Sequence, residues 1–504
     1  MNFIKTLLIF IISINLYAQI DGDNIFAEDQ IITVDLVFED SDFWELLQAN
    51  YQTGNYLEAD LTITDNTGTT TINQVGVRLK GNSSYSHPGN KKSFKIDFNK
   101  YVSGQNYDGL KKLNFSNGFK DPTLMREKIF FDLCQDAGVP APRANFASIY
   151  FNGELWGFYT VVEQIDDQFL DWRILDDDGN LFKAGDNFQG NSGAANLVYY
   201  GDSQTAYEDR YELKTNETEN DWTDLIEFID FINNASNSEF ESELENYIEL
   251  QEYLRSAAIN NLFSNLDTYT LSARNYYVYH NQTTNKWEWI KWDANECFGS
   301  YSGGPGGPNM TTLPLNFTVN NRPLLQNIFN SSVLYNQYLQ EVCYVSNNLF
   351  NTTELDFIID NFKSLIQDAV FSDPNKMYSN ADFINNIENN IGGGGGLIYG
   401  LKSFVQEKTS FISGEIDCAL GSEQSLEIDF KIYPNPASKE LFIQSSQLVK
   451  SLIVHDFYGK KIMDVQINSN SKQLDVSKLK TGIYLCTAEL ETGIRSTQKL
   501  IIRN

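Results

Sequence analysis

Two aromatic runs, Tyr276 to Tyr279 and Trp287 to Trp292, flank the polar linker HNQTTNK, and the pattern reads as a β-hairpin. A hairpin returns its ends to one place, so whatever precedes the first strand meets whatever follows the second. Both neighbours are acidic here: Asp267 lies ahead of the first strand and Asp293 directly after the second. The stretch LQEYLRSAAINNLF has helical periodicity, as part of a helix expected over Ser238 to Phe263, and a helix running into a short loop presents Asp267 rigidly. Two carboxylates at one point suit phosphoryl transfer, one accepting a hydroxyl proton and the other holding a divalent cation over phosphates. Asp267 is the candidate catalytic residue and Asp293 the candidate metal ligand. Asn275 and Asn295 are placed to complete the metal shell, since amide oxygens suit a hard cation.

A second hairpin is written in VGVRLKG and SFKIDF. Period-two alternation sends Val75, Val77 and Leu79 to one face and Arg78 and Lys80 to the other, and in the second segment it buries Phe94, Ile96 and Phe98 while Lys95 points away. Antiparallel pairing then gathers three cations under a loop carrying Gly81, Ser83 and Ser84, an arrangement able to cradle an anion. Lys95 is the leading phosphate ligand, as a compact ammonium on a rigid strand. The loop is not a Walker A motif, because GxxxxGK[ST] does not occur. An ordinary solvated strand face is the competing reading.

Asp121 and Pro122 introduce an amphipathic helix over Leu124 to Gln135, in which Glu127 either orients a strand lysine such as Lys95 or belongs to a charged outer face. The segment RANFASIYFNGELWGFYTVVEQID reads as a hairpin turning at Asn152 and Gly153. Glu163 sits just past its second strand, where ligand-facing loops begin, and joins the cofactor-side candidates Arg78, Lys80, Ser83, Ser84 and Lys95. Strands are also expected over Ile31 to Phe38 and Tyr56 to Ile63. Lys183 in GNLFK and Lys214 in YELKTN read first as solvated.

In order, GVRLKGNSS, KKSFKIDF, LNF, DPTLMREKIFFDL, GVPAPRA, GELWGFYTVVEQID, GNLFK, NYYVY and WDANECFG resemble the CotH family of kinase-like proteins over roughly Val75 to Gly299. The resemblance implies an α+β, atypical protein-kinase-like domain that binds ATP and Mg2+ or another divalent cation and phosphorylates Ser or Thr of secreted or surface proteins. It matches Asp267 to the family's catalytic aspartate and Asp293 to its metal-binding aspartate. Many relatives have WDxD followed by a serine and then FG, whereas Asn295 and Cys297 stand here. An amide ligates a cation with one charge fewer.

The chain ends carry an export pattern. MNFIKTLLIFIISINLYAQ has a lysine, an apolar run and a small residue at Ala18, which predicts a signal peptide over residues 1–18, and no later run is long and apolar enough to leave a transmembrane segment in the mature chain. With 67 acidic and 37 basic side chains the net charge is -30, which argues against a nucleic acid partner. Five scattered cysteines without CxxC spacing read as buried or singly paired, not as a zinc site. Helices are expected over Pro323 to Asn347, Glu354 to Val370, Ala381 to Asn390 and Leu397 to Lys408, with Gly392 to Gly396 as a mobile connector. The body is expected over residues 28–421, with a boundary near Ser422 to Leu426. Residues 426–504 alternate between short strands and turns, which predicts a small all-β sandwich. Through YPNP, DFYGKKI, LDVSKLKTGIYL and KLIIRN this tail resembles the C-terminal sorting domain of the type 9 secretion system in Bacteroidetes-like bacteria. That resemblance implies handling by the type 9 machinery and a product that is secreted or attached to the outer-membrane surface. Two other functions compete: a catalytically inactive surface scaffold or adhesion protein, and a calcium- or glycan-binding module.

Overall fold

The computed structural model describes residues 20–502, apart from 29, 186–193, 305, 394–395, 419–429, 436, 457–460, 481 and 491–494. The expected signal peptide and the expected boundary at Ser422 to Leu426 lie outside the described residues.

The first third of the chain builds a closed barrel from β1 (Ile31–Val37), β2 (Leu57–Asp65), β3 (Gly68–Leu79), β4 (Phe94–Asp97), β5 (Lys112–Ser116), β6 (Ala144–Phe151) and β7 (Glu154–Glu163), in the order β1-β2-β3-β4-β5-β7-β6. β6 closes the barrel by pairing with β1 in parallel, so neither strand is left as an open edge. Alternation selects the interior: Val75, Val77, Leu79, Phe94, Ile96, Leu113 and Phe115 are each 1% exposed or less. The outward positions line up across the strands, Arg78 opposite Lys95, Lys95 opposite Asn114 and Asn114 opposite Val162. The cations expected to share a face therefore do. Short helices α1 (Phe43–Ala49) and α2 (Ser83–Ser86) decorate the barrel.

Helix α3 (Arg126–Asp136) crosses from the barrel to the remaining body. Asp121 starts it from outside the first turn, its carboxylate accepting the Arg126 N–H at 2.9 Å and lying 3.3 Å from the Arg126 guanidinium. After α4 (Asp167–Phe169) comes a four-stranded sheet of β8 (Leu181–Ala184), β9 (Tyr211–Leu213), β10 (Tyr276–Asn281) and β11 (Lys286–Lys291), in the order β11-β10-β8-β9. The expected hairpin is β10–β11, and Glu212, Lys183 and Tyr277 form a row across the adjoining strands.

The helix expected over Ser238 to Phe263 is two, α6 (Asn237–Tyr247) and α7 (Leu250–Leu262), which follow α5 (Thr223–Asn234). Ile248 is extended and bridges to Trp287, and the Glu249 N–H donates to the Trp287 carbonyl at 3.1 Å, so sheet contact interrupts the helix. A second expected helix is also divided, into α8 (Pro323–Asn330) and α9 (Ser332–Asn348), where the Ser331 side chain caps the second by accepting from the Leu334 N–H. Then follow α10 (Thr352–Ser372), α11 (Asn380–Glu388) and α12 (Leu401–Glu415). Of the glycine run expected to be a mobile connector, Gly392, Gly393 and Gly396 belong instead to the paired strands β12 (Ile391–Gly393) and β13 (Gly396–Ile398), which also takes Leu397 out of the helix expected there, while residues 394–395 lie outside the described residues. A buried Lys91–Asp373 ion pair at 2.5 Å ties the barrel to the end of α10. Cys343 and Cys418 form a disulfide, while Cys134, Cys297 and Cys486 are buried thiols.

The tail has its own apolar cluster, including Ile443, Val454, Cys486 and Leu500. Its strands, β14 (Phe430–Tyr433), β15 (Glu440–Asp456), β16 (Lys461–Asp475), β17 (Gly482–Leu490) and β18 (Arg495–Ile502), belong to one five-stranded sheet rather than the two sheets of a sandwich. β14 and β17 pair with successive halves of β15, on either side of a register shift between Gln444 and Val449 that lets one sheet turn over a common core. Among the described residues no helix is long and apolar enough to cross a membrane.

Candidate active site

The outward row of the barrel and the row across the second sheet enclose a cavity of about 500 Å³, a size that suits a small-molecule ligand. Arg78, Lys80, Ser83, Ser84, Lys95, Asp267, Asn275, Asp293 and Asn295 all line it. Nine of the ten residues singled out from the sequence thus share one space.

On the barrel side, Lys80 is fixed where β3 ends, its N–H donating to the Ser93 carbonyl at 2.8 Å. Its ammonium donates to Asn114 Oδ1 at 3.3 Å and sits 5.3 Å from the centre of the Trp292 ring. Burial lowers Lys80 to about 8 against the pull of Glu127 and Asp293. Burial likewise raises Glu127 to about 7 and Asp293 adds to the rise, while Lys80, the Ser116 hydroxyl and the Ala294 N–H oppose it. Of the two readings of Glu127, the charged outer face is corrected, since Glu127 is 5% exposed and lines the cavity, and the strand lysine beside it is not Lys95: Lys95 donates to Gln164 Oε1 at 2.7 Å, and burial with the cations Lys112, Arg78 and Lys80 holds it well below the usual lysine range. Lys80 is the lysine that faces Glu127. The loop above them depends on Gly81, whose φ is +101° and where a Cβ would lie 2.2 Å from Ser84 Oγ.

Glu163 is the residue the structure separates from the rest. Val162 faces outward toward the cavity, so period two turns Glu163 the other way, and it is absent from the lining residues. Glu163 is 1% exposed, and its carboxylate accepts from the Arg143 guanidinium, from the Arg143 N–H at 3.0 Å and from Trp172 Nε1 at 2.9 Å. The Glu163 assignment is therefore corrected to a buried counter-charge for Arg143.

On the opposite wall, Asp267 follows α7 through a tight loop and is held by Asn275, whose Nδ2 donates to Asp267 Oδ2 at 3.0 Å and to its carbonyl at 2.8 Å. Asn275 and Asp293 both adopt left-handed backbone, with φ of +57° and +53°. Such turns aim side chains that a continuing strand would carry elsewhere. Asn295 Nδ2 donates to the Phe119 carbonyl at 2.7 Å, which leaves the amide's oxygen as its ligand-type atom. Glu296 pairs with Lys120 at 2.7 Å, and burial raises its carboxyl to about 7 against Lys120, with Asp267 and Asp293 adding to the rise.

The sequence reading did not single out Asn114, Gln164, Arg274 or Glu296, all of which line the cavity. Asn114 was within reach, being the next outward position beside Lys95. Gln164, Arg274 and Glu296 lie in loops without periodicity, where no sequence pattern assigns a direction. Lys183 and Lys214, read as solvated, line the cavity with Glu212, and Lys214 pairs with Glu212 at 2.8 Å.

Among the described residues no three His, Cys, Asp or Glu side chains gather into a metal cage. The donors around Asp293 are hard oxygens, and the buried Glu127 Oε2 beside them has no hydrogen-bond partner among the described residues. This set fits a cation held by one or two protein oxygens and completed by substrate phosphates.

Residues 77–394 match the family described as CotH kinase protein, and residues 431–503 match the secretion system C-terminal sorting domain. Over 209 residues the chain is 32% identical to inner spore coat protein H of Bacillus subtilis (strain 168), covering 42% of this chain and 55% of that protein. The chain thus spans about half the length of the curated relative it matches. The sorting domain marks the protein for the type 9 secretion machinery, and so for the cell surface or the medium. A body matched over most of its length and a separately folded sorting tail together make this chain a member of the CotH kinase protein family.

Proposed function

We propose that the body is an atypical protein-kinase-like domain that transfers phosphate from ATP, with Mg2+ or another divalent cation, to Ser or Thr of secreted or surface proteins. The observation that carries this reading is the convergence of Lys80, Glu127 and Asp293 in one cavity with Asp267. Lys80 contacts donor phosphate oxygens and Glu127 keeps its ammonium directed at them. Arg78 and Lys95 add positive potential along the barrel wall, and the Gly81–Ser84 loop offers backbone N–H donors. Asp293 and the Asn295 amide oxygen hold the cation, which when bound neutralises charge on the phosphates. Asp267, kept in place by Asn275, accepts the proton of the acceptor hydroxyl.

The test is phosphate transfer from labelled ATP to co-secreted proteins by the exported chain. Asp293→Ala is expected to abolish cation-dependent transfer in a folded protein. Asp267→Ala is expected to cut kcat by on the order of 10²-fold or more with nucleotide affinity retained. Unchanged transfer in Asp293→Ala overturns the assigned role. The neutral Asn295 favours a second reading, a non-catalytic surface scaffold, and nucleotide binding without any acceptor labelling selects it.

A further inference from the structure

Asp293 and Asn295 bring a single negative charge to the place assigned to the cation, since Asn295 is an amide whose nitrogen is committed to the Phe119 carbonyl. The next side chain, Glu296, is a carboxylate 9% exposed, lines the same cavity and lies within electrostatic reach of both Asp267 and Asp293. Its counter-charge is the Lys120 ammonium at 2.7 Å. Phe119 and Lys120 are adjacent, so one short turn holds both neighbours, Asn295 through a backbone carbonyl and Glu296 through an ammonium. The two ends of the ion pair differ. The carboxylate is enclosed, whereas Lys120 is 31% exposed and its ammonium rests 5.6 Å from the Tyr301 ring centre. A flexible four-carbon stem anchored at the surface can withdraw into water without leaving a charge unsolvated, and a buried carboxylate cannot.

We propose that Glu296 supplies the second acidic oxygen to the cation that Asp293 holds, and that Lys120 is the counter-ion exchanged for that cation. The proposal rests on the phosphoryl-transfer reading and adds to it the source of the missing charge. A divalent ion with a nucleotide takes one or two carboxylates, and Glu296 is the carboxylate on the same segment as Asp293 that faces the cavity. The two halves of the pair then act in opposite directions. Removing the Glu296 charge weakens the cation site, whereas removing Lys120 removes a competitor and leaves a buried carboxylate whose best partner is the cation. A purely structural ion pair predicts instead that both changes act in the same direction.

The experiment is calorimetric titration of MgCl2 into the full chain saturated with a non-hydrolysable ATP analogue, repeated with Mn2+ followed by electron spin resonance. Circular dichroism verifies the fold of each variant. Glu296→Gln is expected to weaken cation affinity by about tenfold or more, Asp293→Asn to weaken it at least as much, and Lys120→Met to tighten it. Wild-type cation affinity in Glu296→Gln beside a loss in Asp293→Asn overturns the proposal and leaves the phosphoryl-transfer reading standing. Weakening by Lys120→Met also overturns it. Wild-type affinity in both Glu296→Gln and Asp293→Asn overturns the reading beneath it.

Discussion

Lys80 and Lys95 leave neighbouring strands on the same barrel face, yet their partners differ, an acid facing one and Gln164 Oε1 accepting from the other. This difference gives a prediction. Lys80→Met is expected to lower kcat by about 10²-fold, because it removes a charge aimed at the transferred group. Lys95→Met is expected mainly to raise KM for ATP, and steady-state kinetics on the two variants separates the roles. Lys408, 0% exposed, supports a stability prediction at the same scale. Its ammonium has long contacts to Asn261 Oδ1 at 3.3 Å and to the Leu313 carbonyl at 3.4 Å, and burial lowers it to about 7 from 10.5. Below pH 7 both folded and unfolded chains carry the proton, so the fold bears the full cost of a buried charge. Between about 7 and 10.5 the unfolded chain binds the extra proton, and stability rises with pH. Lys408→Met is therefore expected to raise Tm more at pH 6 than at pH 9 in thermal melts.

At the scale of elements, α3 links the site to the body, since it carries Glu127 toward the cavity and Arg126 into the helical core. Arg126 is 0% exposed and donates to Asn386 Oδ1 at 2.7 Å and to the Tyr399 carbonyl at 2.6 Å, with Asp121 as its counter-charge. Asp121→Ala leaves a buried guanidinium without that charge and removes the acceptor for the first helical N–H. Urea unfolding is expected to show a loss of about 3 kcal/mol or more. Hairpins and strand faces were legible in the sequence because period two and turn chemistry are local. The break between α6 and α7 was not, because Trp287, on a strand far along the chain, makes it. The glycine hairpin was hidden for a related reason: glycine carries no side-chain pattern, so only the pairing of Ile391 with Ile398 reveals it.

For the whole molecule, the Cys343–Cys418 disulfide joins α9 to the chain beyond α12 across a separation of 75 residues. In the chain-entropy account a loop of that size contributes about 4 kcal/mol, so reduction or Cys343→Ser is expected to lower Tm clearly, and a disulfide suits an exported protein. The sorting tail has a separate core, so deleting 430–504 is expected to leave the body's melting transition in place while the product stays inside the cell, as fractionation reports. The sequence by itself determined the barrel-strand alternation, the hairpin that brings Asp267 and Asp293 together, and the tail's separate character. Each follows from residue period, turn chemistry or an ordered set of motifs along the chain. Tertiary structure alone decided that Lys80 faces Glu127, that Glu163 turns away to Arg143, that Glu296 joins the cavity, and which cysteines pair. Those outcomes depend on which surfaces pack against one another, and a side chain's partner across a fold is set by that packing, not by its neighbours in the chain.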